Sequence, residues 1–163
     1  MRSSTERGFP CGLSIHIQVS CSEQEIESVR ITHSAARGSL VCEVLHPAKN
    51  SPLIAQIFSW VESYASKRPS KEKLPLKLPE AGPFSLRTLK EIERIPFGKQ
   101  KSYREVAEKV GSPRAARAVG NACHGNPTPL FIPCHRVVKS DGSLGGFALD
   151  IKLKEMLLSF ERN

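Results

Sequence analysis

The chain is predicted to be an α/β (α+β) protein in two parts: a small antiparallel sheet with a helix, then a helical domain with a helix-turn-helix of winged-helix-like type. Alternating apolar residues typical of strands open the chain, and apolar residues at helical spacing follow. A run rich in proline and lysine then separates the two halves. We therefore expect an N-terminal α/β domain at 1–66, a linker at 67–83 and a second domain at 84–163.

Three short segments of the first half have strand character. Ile15, Ile17 and Val19 alternate with polar residues, and apolar runs follow at 29–32 and 40–45. Short polar or glycine-containing connections join these segments, which predicts an antiparallel sheet. The segment 53–65 has apolar residues at helical spacing, so we expect one amphipathic helix after the strands.

The second half is predicted to be helical. The segment 85–95 is a helix that ends before Pro96-Phe97-Gly98, and a further amphipathic helix covers 151–162. Ser102 and Glu105 have the spacing of a capping box, which predicts that a helix begins there.

A third helix of this half is expected to start at Ser112-Pro113, with serine as the cap and proline at the first helical position. It follows Gly111, and two short helices joined by such a turn are typical of a helix-turn-helix. The helix carries Arg114 and Arg117 on a body of small residues. Arginines on such a body fit either DNA phosphates and bases or a tightly packed core helix with solvated charges.

Charge and composition narrow the class of partner. The net charge of the 163 residues is +8, of which +6 falls in residues 84–163. A basic half favours a polyanion, with nucleic acid ahead of a membrane surface, although ordinary solubility explains net charge equally well. No apolar stretch has transmembrane length, and residues 1–10 lack the apolar core of a signal peptide. We expect a soluble protein of the cytoplasm, or of the nucleus in a eukaryote.

Cysteine usage points to a reducing compartment. The chain has five cysteines, an odd number, and no pair spaced C-x-x-C. A structural zinc in the first half stays open as an alternative. Its candidate ligands are Cys11, Cys21, Cys42, His16, His33 and His46, although core burial explains those that lie in strand-like runs.

The most informative segment is Pro133-Cys134-His135-Arg136. Three prolines within eight residues stiffen the approach to Cys134, and a thiol beside an imidazole and a guanidinium indicates a positioned nucleophile, since cationic or basic neighbours favour the thiolate. The alternatives are an inert buried cysteine, a cysteine hydrolase without an evident residue to orient its base, and a metal site that adds Cys123-His124.

Two charges of the last helix share a face. Lys154 and Glu161 are seven residues apart, which is two helical turns. They could line the cleft that holds Cys134, but spacing alone favours two solvated charges.

Together these motifs resemble the O6-alkylguanine-DNA alkyltransferase family, which moves alkyl groups from damaged bases onto its own cysteine. The resemblance covers residues 84–163, about half of the chain. The shared motifs, in family order, are Ile95-Pro96-Phe97-Gly98, Ser102-Tyr103, Ala116-Arg117-Ala118-Val119-Gly120, Gly125-Asn126-Pro127, Ile132-Pro133-Cys134-His135-Arg136-Val137-Val138, Lys154-Glu155 and Leu157-Leu158.

The resemblance implies roles for three residues of a proton relay. Cys134 is the alkyl acceptor, His135 takes its proton through water, and Glu161 is the third member. The thioether product has no good leaving group, so the protein is expected to act once. The implied function is direct reversal of O6-alkylguanine in double-stranded DNA, with some activity on O4-alkylthymine, by a monomer that needs no cofactor.

The resemblance also implies the DNA contacts. Arg117 fills the gap left by a flipped base, from a recognition helix that lies in the minor groove and also carries Arg114 and Ala118. Tyr103 contacts the phosphate beside the flipped nucleotide and donates a hydrogen bond to the purine, with Lys154 supporting it. Asn126 ties the Cys134 loop to the helix-turn-helix. A helix-turn-helix protein that binds lesions without chemistry is the alternative from another class.

The expected substrate pocket contains Val137, Phe147 and Ala148. The resemblance implies that backbone groups around Cys134, Val137 and Ala148 recognise the flipped guanine. Two residues depart from the family pattern. Phe147 stands where Tyr is usual, so the ring is kept without its hydroxyl, and Asp150 lies near a position where Gly is common. Asp150 would place a negative charge beside a loop that faces DNA.

Overall fold

The computed structural model describes residues 3–46, 48, 50–68, 70–145 and 150–162. The chain divides into two compact units, Met1–Lys77 and Leu78–Asn163. Both sheet and helices are present, as the predicted fold class requires. The finer division into domains at 1–66 and 84–163 with a linker between them stays a prediction.

Unit 1 is a four-stranded sheet with one helix. The strands are β1 (Ser3–Pro10), β2 (Ile15–Cys21), β3 (Ile26–His33) and β4 (Ser39–His46), and the helix α1 spans Pro52–Ala65. Their order in the sheet is β1-β4-β2-β3. Alternate residues of β2 are buried, as its apolar periodicity predicts, and so are alternate residues of β4. Helix α1 packs against β4 and β1. Ser51 caps α1 by accepting a hydrogen bond from the backbone N–H of Leu53.

The sheet is mixed, so the prediction of an antiparallel sheet was wrong for one pair of strands. β2 runs antiparallel to β3, but β4 pairs with β2 in parallel. The short connection between β3 and β4 crosses the start of β2, where Gly38 O accepts the N–H groups of Cys11 and Gly12 and Gly38 N donates to Ser14 Oγ. Gly12 and Gly38 both have positive φ, which lets the chain make this crossing in few residues.

Strand β1 was missed by the sequence analysis. It pairs antiparallel with β4 along its whole length, from Ser3 to Pro10. It lies at the sheet edge, most of its described side chains are exposed, and only Phe9 is buried. An edge strand of this kind has no alternation for a sequence pattern to detect, and main-chain hydrogen bonds hold it instead.

The described residues of unit 2 form four α-helices and two short strands. They are α2 (Pro83–Glu93), β5 (Lys101–Ser102), α3 (Tyr103–Lys109), α4 (Ala116–His124), β6 (Val137–Val138) and α5 (Ile151–Arg162). β5 and β6 pair in parallel and so place the start of α3 beside the residues that follow Cys134. Among the described residues, no helix combines the length and the hydropathy that a membrane span needs.

Helix α4 begins three residues later than predicted. Residues 112–115 form a turn in which Ala115 N donates to Ser112 O, and α4 starts at Ala116 without a side-chain cap. Pro113 occupies the second position of this turn, where its fixed φ fits equally well. The Ser-Pro pair therefore marked the turn of the helix-turn-helix and not the start of its second helix.

The capping box of α3 is present as predicted. Ser102 Oγ accepts from Glu105 N at 3.1 Å, and Glu105 Oε2 accepts from Ser102 N at 2.6 Å. These bonds satisfy two backbone N–H groups that a helix start otherwise leaves without partners. They fix the first turn of α3, which carries Tyr103.

We expect Ser102→Ala to lower the free energy of unfolding of unit 2 by about 1 kcal/mol, because the cap is lost. Urea unfolding followed by circular dichroism measures the change. Ser159→Ala, at an exposed position of α5, serves as the matched control and should stay within about 0.5 kcal/mol of the wild type. Equal stabilities for the two variants would contradict this role of the cap.

Candidate active site

Cys134 opens a single 3-10 turn, Cys134–Arg136, that follows a constrained loop. In this loop Leu130 has a φ of 77°, which is rare for a residue with a side chain, and Ile132 N donates to Thr128 O at 3.0 Å. Leu130 and Ile132 are buried and anchor the loop. The stiffness predicted from the prolines therefore has a second source in buried side chains.

Asn126 holds the loop in place, which agrees with the geometry that the family resemblance implies. Its Nδ2 donates to Ile132 O at 2.9 Å and lies 3.3 Å from Cys134 Sγ. Its Oδ1 accepts from Thr128 N at 3.0 Å. Since Asn126 directly follows the end of α4 and its Gly125 cap, one amide group links this helix to the thiol.

The Cys134 thiol is buried, with only 2% of the residue exposed. Burial raises the pKa of this thiol, and the Asn126 hydrogen bond and the Lys154 charge offset the rise only in part. The sequence-based expectation of a thiolate favoured by its neighbours is therefore wrong for the resting protein. The thiol is neutral until another group takes its proton.

His135 follows Cys134 directly, and Glu161 holds its ring. Its Nε2 lies 2.7 Å from Glu161 Oε1, and its ring is completely buried. Burial lowers the pKa of His135 despite the opposing effect of Glu161, so the ring is neutral near pH 7. A carboxylate accepts and does not donate, so Nε2 carries the hydrogen and Nδ1 keeps a lone pair. Nδ1 has no hydrogen-bond partner among the described residues.

Glu161 is a buried carboxylate and not a solvated charge, and Lys154 on the same face of α5 is buried as well. The preference for two solvated charges, drawn from spacing alone, was wrong. Burial by itself would raise the pKa of Glu161, but the hydrogen bonds from His135 and Arg136, together with the charge of Arg136, outweigh it and lower the pKa to about 2. Glu161 is therefore ionised throughout the physiological range.

Arg136 is the residue whose partner the sequence analysis misjudged. The sequence predicts a guanidinium beside the thiol, whereas Nε and Nη2 donate to the two oxygens of Glu161 at 2.8 and 2.9 Å and Nη1 donates to Ile95 O at 2.7 Å. Neighbours in the sequence point in different directions from a 3-10 turn. Nothing in the local pattern connects Arg136 with a glutamate twenty-five residues away.

Lys154 supplies the cation near the thiol. Its Nζ donates to Val137 O at 2.6 Å and lies 5.7 Å from the centre of the Tyr103 ring. Its charge is among the effects that lower the pKa of Cys134. Lys154 thus lies near Tyr103, Val137 and Cys134.

Tyr103 keeps its proton. Burial, with smaller contributions from Cys123 and Cys134, raises the pKa of Tyr103 to about 12, so the phenol can act as a donor. Two glycines flank the ring: a Cβ on Gly120 would lie 3.9 Å from it, and a Cβ on Gly145 would lie 2.9 Å from it. Gly145 follows a turn in which Gly142 N donates to Lys139 O and Ser143 N donates to Asp141 Oδ1.

The proposed DNA contacts lie on the exposed side of the helix-turn-helix. Arg114 and Arg117 are exposed and Ala118 is partly exposed, while Val119 is buried. Phe147 and Ala148 lie outside the described residues.

Asp150 acts as a helix cap. Its Oδ1 accepts a hydrogen bond from Lys152 N at the start of α5, in the manner of an N-cap residue.

The metal alternatives gain no support from the side-chain geometry. Nowhere in the described residues do three or more His, Cys, Asp or Glu side chains form a group that could hold a metal ion. Cys21 and Cys42 lie in the core of unit 1, where burial raises the pKa of Cys42 to about 12. Cys134 and His135 face Asn126 and Glu161 instead of sharing a ligand site with Cys123.

We expect unit 2 to lose stability in acid, with Glu161 as a main cause. Its pKa is about 2 when folded and 4.5 ordinarily, so the unfolded chain takes up the proton first. This contribution, on the order of 3 kcal/mol, is complete above pH 4.5 and is lost as the pH falls towards 2. The lowered pKa of His135 acts in the same direction from pH 6.5 downwards.

Urea unfolding between pH 7 and pH 3 measures this dependence. Glu161→Gln should be less stable at pH 7 and should depend less on pH below about 4.5, since it has no carboxylate to protonate. Glu93→Gln, an exposed position of α2, is the matched control and should follow the wild type. Parallel curves for Glu161→Gln and the wild type would contradict the assignment.

Known DNA alkyltransferases resemble this chain in both sequence and structure. Residues 83–163 match the family model described as "6-O-methylguanine DNA methyltransferase, DNA binding domain". Among solved structures, the Mycobacterium tuberculosis OGT in complex with DNA has a TM-score of 0.68 at 26% identity, with 90% of this chain and 92% of that chain covered.

Two curated relatives extend the match beyond unit 2. The methylated-DNA–protein-cysteine methyltransferase of Methanosarcina barkeri is 40% identical over 116 residues, which is 71% of this chain and 72% of the relative. The human protein of the same name is 32% identical over 155 residues, covering 89% of this chain and 74% of its own length. The chain therefore belongs to the methylated-DNA–protein-cysteine methyltransferase family.

Proposed function

We propose that this protein repairs DNA by direct reversal, moving an alkyl group from O6 of guanine in double-stranded DNA to Cys134 in a single turnover. One observation carries the proposal: a neutral His135, with its Nε2 held by the Glu161 carboxylate, follows directly after the Cys134 thiol. O4-alkylthymine, which offers a similar alkyl oxygen, is a second candidate substrate.

The first step is removal of the thiol proton. The raised pKa of Cys134 means that a stable thiolate is not stored in the resting site. The proton passes to His135 Nδ1, directly or through a water molecule, while Glu161 stabilises the imidazolium that forms. The chemistry therefore does not depend on a permanently charged sulfur.

The second step is an in-line displacement at the alkyl carbon. The bond from sulfur to carbon forms as the bond from carbon to O6 breaks, and the electron pair of that bond goes to the purine. Tyr103, which stays protonated because its pKa is about 12, donates a proton or hydrogen bond to the purine anion. The thiol has then lost one proton and the guanine has gained one, and exchange with solvent restores His135 and Tyr103.

The base must leave the duplex for this to happen, because an O6 substituent lies within the stack. The burial of Cys134 is consistent with a site that receives a single extruded base. Arg117, exposed on α4, is the residue proposed to fill the gap, with Arg114 and Ala118 on the DNA contact surface. In this proposal the protein acts on DNA as a monomer and needs no cofactor. It works in the cytoplasm, or in the nucleus of a eukaryote.

Mass spectrometry after incubation with a duplex carrying O6-methylguanine tests the function. The expected result is one added methyl group per protein, located on Cys134 and absent from Cys134→Ala. Cys123→Ala is the matched control, because Cys123 is also a buried cysteine of unit 2, and it should still be methylated. Binding to the duplex with an unmodified thiol would instead identify a lesion-binding protein, and repeated turnover of an ester would identify a hydrolase.

Replacing Arg117 tests the DNA contact. Arg117→Ala should weaken binding to lesion-containing duplex roughly tenfold or more, because the flipped state loses the side chain that replaces the base. Transfer from free O6-methylguanine base should change little, because no duplex is involved. Arg104→Ala, an exposed arginine of α3 paired with Glu108, is the control for loss of one positive charge. If Arg117→Ala and Arg104→Ala weaken binding equally, the loss reflects positive charge in general, which would contradict a specific contact by Arg117.

A further inference from the structure

Within the part of the chain that the structure describes, the Glu161 carboxylate receives four hydrogen bonds. Oε1 accepts from His135 Nε2 and from Arg136 Nη2, and Oε2 accepts from Arg136 Nε and from Gly98 N at 3.2 Å. A carboxylate offers about four lone-pair positions, so this one is saturated. Its orientation, and that of the imidazole bonded to it, is therefore determined by Arg136 and Gly98.

Arg136 is itself held on two further sides. Nη1 donates to Ile95 O at 2.7 Å, and the guanidinium lies 5.7 Å from the centre of the Phe97 ring. The loop that provides these contacts also provides Gly98, where a Cβ would stand 3.1 Å from the backbone O of Glu161. The guanidinium is thus tied both to the 95–98 loop and to α5.

We propose that Arg136 is a positioning residue for the proton acceptor: by binding both oxygens of Glu161, it keeps the His135 ring oriented and uncharged, so that Nδ1 can take the Cys134 proton. This inference rests on the proposed function and assigns a task to a residue that touches neither thiol nor substrate. A buried carboxylate beside an imidazole, without a counter-charge, would favour imidazolium. An imidazolium has no lone pair to accept a proton.

The charges around His135 support this assignment. Glu161 favours the charged ring, whereas Arg136 and Lys154 disfavour it, and burial disfavours it most. Helix α2 also packs against the Cys134–Arg136 turn, but its Lys90 and Glu93 are exposed and its Glu91 binds Lys101. The 95–98 loop has no ionisable side chain. Arg136 is the positive group in direct contact with Glu161.

The direct test is an NMR titration of the His135 ring in the free protein. Arg136→Met should raise the midpoint of this titration by one pH unit or more, and Arg136→Lys, which keeps the charge without the two-pronged geometry, should raise it less. Adding Glu161→Gln to Arg136→Met removes both charges and should bring the midpoint back towards that of the wild type. Arg94→Met, at an exposed arginine that pairs with Glu91, is the matched control and should have no effect.

The second readout is the pH dependence of single-turnover methyl transfer. Its acid limb should move to higher pH in Arg136→Met and return in the double variant, whereas a merely structural role would lower the rate without moving the limb. If Arg136→Met does not fold, the same two measurements on Arg136→Lys test the proposal. An unchanged His135 midpoint in the folded variants would overturn the proposal. Absence of transfer by the wild type would overturn the proposed function alone, because the titration needs no substrate.

Discussion

The chemistry of unit 2 depends on one buried carboxylate. Glu161 lies near the end of α5, yet it is the point at which the Cys134–Arg136 turn, the 95–98 loop and that helix are joined by hydrogen bonds. Hydrogen bonds occupy the lone pairs of this carboxylate, and Arg136 balances its charge. These interactions offset the cost of removing the carboxylate from water. The same saturation determines which nitrogen of His135 is left to accept a proton.

A buried thiol with a raised pKa is compatible with a protein that acts once. A permanent thiolate would react with any electrophile or oxidant that reached it, whereas a neutral thiol beside a neutral base is ionised when an alkylated base provides the reaction partner. Burial that lowers the pKa of His135 while raising those of Cys134 and Tyr103 keeps all three groups uncharged at rest. Charge then develops only during transfer, close to Glu161 and Lys154.

The same local signals led to both right and wrong predictions. Helix α5 was predicted with its observed bounds, because amphipathic spacing over twelve residues reports a buried stripe directly. The Ser-Pro pair at 112–113 predicts a helix start but forms a turn, since proline suits both. The edge strand β1 has no alternation of buried and exposed residues that a sequence pattern could detect. The parallel pairing of β2 with β4 depends on hydrogen bonds at Gly38, which strand periodicity does not predict.

Sequence by itself determined the capping box at Ser102. It also singled out Cys134 as the candidate nucleophile and, through the order of the family motifs, the residues proposed to act with it. Local patterns report burial and helix ends because these depend on near neighbours in the chain. Only the tertiary structure decided that Arg136 binds Glu161 and not the thiol, that Asp150 caps a helix, and that Cys134 is neutral at rest. These properties arise from groups distant in the chain and from exclusion of water, and both exist only once the chain has folded.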